Sequence, residues 1–233
     1  WEIIRRNQDD ENKSIRLGTI ELRASSINLL SWAKLTPFEI SKSHKVNEST
    51  RMTYRYLDLR NPIITDNLIK RHQVIKYLRE YFDSKRFIHI DTPILWKPSD
   101  EWSREFYVPS RLHPHTFYTL PQAPQQLKQI LMWSWIDKYY QVARCFRDED
   151  PKWDRQPEFT QIDLEMAFVD QEEIIKVVGE AVLGIINNIY PHKNLREQTI
   201  PHYDYSYVME HYSSDKPDLR YGLMMSTVTD LVK

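Results

Sequence analysis

Tyr139-Tyr140-Gln141-Val142-Ala143-Arg144-Cys145-Phe146-Arg147-Asp148-Glu149-Asp150-Pro151-Lys152-Trp153-Asp154-Arg155-Gln156-Pro157-Glu158-Phe159-Thr160-Gln161-Ile162-Asp163 is the stretch whose reading decides the architecture. Tyr139 to Ala143 reads as a strand, and Phe159 to Met166 alternates apolar and polar residues like the returning strand of a hairpin. Charges of both signs crowd the strand ends and the long loop between them. Side chains two apart on a strand share a face, so Arg147 and Glu149 are expected to point together, as are Gln161 and Asp163. A cation, an acid and two polar anchors then converge on one surface. Such a surface can hold a phosphate in an arginine fork while accepting hydrogen bonds from an amine. A solvated charged hairpin is the plainer alternative.

Outward from the hairpin, the pattern fits a mixed domain. Leu68, Val74, Ile75, Leu78, Tyr81 and Phe82 follow helical spacing, predicting a helix over 67–87, and 87–94 then alternates as a strand. A second helix is predicted over 170–190, with Ile174, Ile175, Val178, Val182, Ile185, Ile186 and Ile189 on a broad apolar face. Near the start, 15–30 reads as short alternating strands, Leu17 to Arg23 above all, and 31–50 as a polar hinge.

Composition sets bounds without identifying a function. A chain of 233 residues with 41% hydrophobic content can bury a real core. A net charge of −1 announces no nucleic-acid partner, although a local basic patch remains allowed. The single cysteine, Cys145, excludes an intramolecular disulfide and a multi-thiolate zinc site, and is expected to be structural. The eight histidines show no metal-ligand spacing. No run of about 18 apolar residues and no secretory signal is visible, so a reducing, cytoplasmic setting is expected.

The charged hairpin resembles motif 2 of the class II aminoacyl-tRNA synthetases, and in detail the aspartyl-tRNA synthetases of bacterial and mitochondrial type. Arg51-Met52-Thr53-Tyr54-Arg55-Tyr56-Leu57-Asp58-Leu59-Arg60, followed by a helix and Ile90-Asp91-Thr92-Pro93-Ile94-Leu95, resembles that family's entry to the catalytic domain and motif 1. Phe117-Tyr118-Thr119-Leu120-Pro121-Gln122-Ala123-Pro124-Gln125-Gln126-Leu127-Lys128-Gln129 resembles its amino-acid-binding segment. The match runs from about Leu17 to Lys233 in the family's order. It implies an α+β fold, a class II catalytic core on an antiparallel sheet with flanking helices, preceded by the end of an OB-type β-barrel. Residues 1–32 would be the end of the anticodon-binding domain, 33–50 a hinge and 51–233 the N-terminal part of the catalytic domain, with motif 3 missing.

The resemblance also implies roles. Arg147 would be the catalytic clamp on the α-phosphate of ATP and the attacking carboxylate, where a guanidinium fork does what lysine cannot. Asp148, Glu149, Gln156 and Phe159 would complete the ATP site, Glu149 reading the adenine amine and Phe159 stacking on the purine. Glu101, Gln125, Lys128, Arg147, Gln161 and Asp163 would bind aspartate. Gln161 would hold its carboxylate, Asp163 its ammonium, and Lys128 its side chain. Gln125 and Lys128, three apart, would share a face if their segment is a helix. ATP, Mg2+, L-aspartate, tRNA(Asp) and a second copy of the chain, through motif 1, are the implied ligands and partners. The main magnesium-binding carboxylate is expected beyond Lys233, so the 233 residues alone are expected to be inactive. A non-discriminating Asp/Asn enzyme and a non-catalytic synthetase-like binding protein are the alternatives.

Several departures share one form. Tryptophan stands where the family usually has glycine: Trp102 in Asp100-Glu101-Trp102-Ser103-Arg104, Trp135 in Trp133-Ser134-Trp135, and Trp153 in motif 2. The chain has 4 Gly and 7 Trp, against a usual glycine content of roughly 7%. Two readings are open: an altered pocket, as in a paralogue, or a gene in which UGA specifies glycine.

Overall fold

The computed structural model describes residues 1–98, 104–150, 152 and 154–228. The chain divides into two compact units, Trp1–Thr65 and Asp66–Lys233. In the first, strands β1 (Glu2–Arg5) and β2 (Ile20–Arg23) pair antiparallel, with Ile3 opposite Leu22. Of the strands expected over 15–30, Ile20–Arg23 is the one formed; residues before it make turns that close on Gly18. Helices α1 (Glu48–Thr53) and α2 (Arg55–Asp58) follow a 3₁₀ turn, Ile40–Lys45. Asp58 is fully buried, paired with Arg51 at 3.0 Å and with Arg55. Hydrogen bonding by Arg51 outweighs burial and holds its carboxyl below the ordinary range. Asn61 donates to the Ile40 carbonyl and to Ser43 Oγ, so the turn and the helices form one hydrogen-bonded knot.

Helix α3 (Pro62–Ser84) begins five residues before the periodicity indicates. Proline is favoured at a first helical position, where no N–H is needed. It ends three residues early, because Arg86 takes a left-handed conformation, φ 64°. The second unit continues with β3 (Ile88–His89), β4 (Tyr107–Pro109), β5 (Phe117–Thr119), α4 (Gln125–Trp133), β6 (Lys138–Phe146), β7 (Glu158–Met166), α5 (Gln171–Ile189) and α6 (Tyr205–Tyr212). The strand expected over 87–94 is only β3, since its parallel register with β6 stops at His89 opposite Tyr140. The sheet order is β3-β6-β7, with β6 and β7 antiparallel over nine residue pairs from Lys138↔Met166 to Phe146↔Glu158. A separate hairpin joins β4 to β5.

This register sorts the β6–β7 hairpin by parity. Directly paired residues share a face, so the even-numbered residues, including Tyr140, Leu164 and Met166, face one way. They meet Leu78 and Phe82 of α3, Phe87, and Val177, Ala181 and Ile185 of α5 in the hydrophobic core. Phe82, 1% exposed, stacks on Tyr140 with ring centres 4.9 Å apart, and its burial is worth about 1.5–3 kcal/mol. On α5 the core-facing row is Val177, Ala181 and Ile185, whereas Val178 and Val182, counted with the apolar face in the sequence, are exposed. Of the seven residues of the predicted stripe, Ile185 is the one in this core cluster; Val177 and Ala181, outside the stripe, join it there. Asp170 caps α5: its side chain accepts from Glu173 N–H, and Glu173 reaches back to Asp170 N–H.

The odd-numbered face carries Tyr139, Gln141, Ala143 and Cys145 of β6, all buried, opposite Glu165, Asp163, Gln161 and Phe159 of β7. Helix α4 lies against it. It ends by a closure in which Trp135 N–H donates to the Met132 carbonyl (3.2 Å) and Ile136 N–H to the Leu131 carbonyl (3.1 Å). That closure puts Trp135 at φ 65°, a left-handed position that favours glycine, and leaves its indole 84% exposed. Trp102 and Trp153 lie outside the described residues. No helix among the described residues is long and apolar enough to cross a membrane.

Candidate active site

The loop end of the odd face opens into a cleft of about 400 Å³ lined by Arg147, Glu149, Asp154, Arg155, Gln156 and Phe159. Arg147 and Glu149 share it, as their spacing predicts, although both lie just beyond the end of β6. Backbone bonds keep them aligned: Arg147 N–H donates to the Pro157 carbonyl at 2.8 Å and Asp148 N–H to the Arg104 carbonyl at 3.0 Å. Asp148 itself is exposed and is not a lining residue of this cleft. The Arg147 guanidinium carbon sits 5.2 Å from the centre of the Phe159 ring, a cation–π contact. The ring face expected from the sequence to stack on a purine is therefore one that Arg147 already covers in part. Arg155 approaches Glu149 at 3.9 Å across the cleft.

Further along the same face, Lys128 reaches down from α4 to Asp163 at 2.9 Å and to Glu165 at 3.3 Å. Lys128 and Asp163 are each 9% exposed. Burial works against the ammonium, but the two carboxylates exceed it and raise the Lys128 pKa. Burial also pushes the Asp163 carboxyl up, helped by Glu165 and opposed by Lys128. One cation between two acids leaves the cluster with an excess negative charge, and Asp163 Oδ2 is buried with no hydrogen-bond partner among the described residues. Arg147 Nε is in the same state at the other end of the face. Phe159 and Asp163 are four residues apart on β7, about 13 Å along the strand.

Gln161 lies between them, half-buried, and accepts a hydrogen bond from Cys145 Sγ at 3.1 Å. Behind it, Tyr139 and Thr92 hydroxyls both donate to Gln141 Oε1, at 2.7 and 2.9 Å. Gln125 and Lys128 are both helical, but Gln125 is exposed in the first turn of α4 while Lys128 is buried. Glu101 lies outside the described residues. Sequence reasoning passed over Asp154, Arg155, Glu165, Tyr139 and Gln141. The parity rule that paired Gln161 with Asp163 would have found Glu165, Tyr139 and Gln141; nothing in the loop's spacing marks Arg155. Among the described residues no three or more His, Cys, Asp or Glu side chains form a metal-holding group.

The site lies within a matched family region. A family model described as tRNA synthetases class II (D, K and N) matches residues 47–231, and the chain belongs to that family. An aspartate–tRNA(Asp/Asn) ligase from Dehalococcoides mccartyi (strain CBDB1) is 46% identical over 221 residues, 95% of this chain and 37% of that protein. An aspartate–tRNA ligase from Geobacillus kaustophilus (strain HTA426) is 42% identical over 232 residues, covering 99% and 39%. The chain thus spans under two-fifths of the length of these relatives. Asparaginyl-tRNA synthetase from Pyrococcus horikoshii, solved with asparaginyl-adenylate, aligns with TM-score 0.65 at 19% identity, over 75% of this chain and 39% of that one. That likeness carries the fold, α+β. ATP and Mg2+ use is implied by the family.

Proposed function

We propose that the chain holds the amino-acid-activating site of an aspartate–tRNA ligase. In this reading a carboxylate oxygen of L-aspartate attacks the α-phosphorus of ATP, the bond to the β-phosphate oxygen breaks, and pyrophosphate leaves. The aspartyl-adenylate then transfers its acyl group to the terminal ribose of tRNA(Asp), releasing AMP. Two anions must be brought together, so the protein's task is cationic positioning more than covalent chemistry. Arg147 is the clamp between carboxylate and phosphate; Asp148, Glu149, Gln156 and Phe159 serve the nucleotide. Glu101, Gln125, Gln161 and Asp163 serve the amino-acid backbone, and Lys128 the side-chain carboxylate. Mg2+ would screen the phosphates of bound ATP, and the residues here do the rest.

One observation carries the reading: two buried polar atoms on groups of opposite charge, Arg147 Nε and Asp163 Oδ2, lie on the same side of one hairpin with no hydrogen-bond partner among the described residues. A buried group left unpaired is costly, and a ligand that is anionic at one end and bears an ammonium at the other relieves both. The reading extends to a homodimer through α3 and β3, to cytoplasmic action, and to 1–32, 33–50 and 51–233 as barrel end, hinge and part of the catalytic domain.

Aspartate-dependent ATP–pyrophosphate exchange by the full-length protein is the test. Arg147→Lys should lower the exchange by on the order of 10²-fold while leaving the fold intact. Absence of exchange with aspartate in the unaltered protein would falsify the proposal and favour a non-catalytic binding protein. The 233 residues alone should give no exchange above background. The name of the Dehalococcoides relative supports a second reading, charging of both tRNA(Asp) and tRNA(Asn); aminoacylation of the two transcripts separates the two.

A further inference from the structure

Cys145 has no part in the chemistry just described, yet it sits in the floor of the site. It is the chain's single cysteine, fully buried on the odd face of β6, one register step from Gln161. Its Sγ lies 3.1 Å from Gln161 Oε1, while the Ala143 carbonyl is 4.0 Å away. We propose that Cys145 is a positioning residue for Gln161: its thiol donates to the amide oxygen and so turns the amide NH2 toward the substrate. The inference rests on the aspartate reading of the site.

The argument is about one flip. A glutamine amide presents an acceptor on one side and two donors on the other. With the oxygen toward the thiol, S–H and carbonyl are matched and the NH2 is left to donate to a substrate carboxylate. The flipped amide would aim its donors at sulfur, a weak acceptor, and its oxygen at the incoming anion. Both mismatches appear together, so even a weak thiol donor biases the orientation. Alanine at 145 removes the donor without adding bulk, and serine keeps a donor.

Two measurements test it on the full-length protein. In pyrophosphate exchange, Cys145→Ala should raise KM for aspartate about three- to tenfold, the worth of one net hydrogen bond, with KM for ATP within about twofold on the same argument, and Cys145→Ser should restore most of the loss. In the vibrational spectrum the Cys145 S–H stretching band, assigned by its loss in Cys145→Ser, should move to higher frequency in Gln161→Leu, where the acceptor is gone. An S–H band that ignores Gln161→Leu overturns the proposal, whether or not Cys145→Ala folds. So does a serine variant no better than alanine, or an alanine variant that raises both KM values alike. Absence of aspartate-dependent exchange in the unaltered protein removes the substrate half, and the S–H band still reports separately whether the contact exists.

Discussion

Replacing Lys128 by methionine removes the cation that pairs with both Asp163 and Glu165 and leaves the hydrocarbon volume nearly unchanged. At an effective dielectric constant of about 20, charges held at the observed 2.9 and 3.3 Å attract by roughly 5–6 kcal/mol per contact, and the ammonium's lost hydration offsets several kcal/mol. Breaking one side of a buried pair costs about 3–5 kcal/mol, and that is the expected loss in urea unfolding at neutral pH. The pH dependence gives a sharper check. Without Lys128, the largest opposition to burial at Asp163 is gone, so its already raised carboxyl pKa climbs further from the ordinary 3.8. The folded variant then binds a proton that the unfolded chain does not, and its stability falls as pH rises through the folded pKa. In the unaltered protein the raised Lys128 pKa means that its contribution is full below the ordinary 10.5 and lost as pH rises through the folded value. The deficit should therefore be largest between the folded pKa of Asp163 in the variant and about 10.5, shrinking on either side. A deficit under about 1 kcal/mol at neutral pH, or one that grows on acidification, would refute the electrostatic account of the site.

Trp135→Gly relieves a left-handed residue at the end of α4 and should stabilise the protein by about 1 kcal/mol in denaturant titration; unchanged or lower stability would remove the case for a glycine position. Gly184→Ala sets a methyl 1.7 Å from the present place of the Tyr77 hydroxyl, so the Tyr77 ring must shift within the α3–α5 packing. A loss of about 1–3 kcal/mol is expected, and a neutral thermal melt would show that the ring moves freely. Asp170→Ala deletes one half of the reciprocal cap of α5 and should cost about 1 kcal/mol, with faster amide exchange confined to the first turn.

Much of the architecture is written in short-range pattern. Strand-like composition located β6 and period-two alternation β7, and the two-residue repeat placed Gln161 with Asp163 and Arg147 with Glu149, because a pleated strand sends alternate side chains to opposite faces wherever it lies. Helix α5 was legible for the same kind of reason, from the local spacing of its apolar residues, while the reciprocal cap of Asp170 and Glu173 came from the structure. The motifs around 51–60, 90–95, 117–129 and 144–163 were enough to recognise the synthetase family. Boundaries were less legible. Helix α3 gained a turn at Pro62, and β3 shrank to two residues, since where pairing stops depends on the partner strand.

Which parity faces the core and which the site was decided only when α3 and α5 covered the even face and α4 lay against the odd one. That choice set Lys128 beside Asp163 and Glu165, set Arg147 over Phe159, and set Cys145 against Gln161. It also put Val177 and Ala181, which the apolar stripe read from the sequence left out, into the core beside Ile185. Local pattern was enough for the main helices, the hairpin's alternation and the family, because those depend on residues within a turn or two of one another. Tertiary packing settled which charges meet and which are left facing the cleft, because strand register and the helices covering each face bring together side chains distant along the chain.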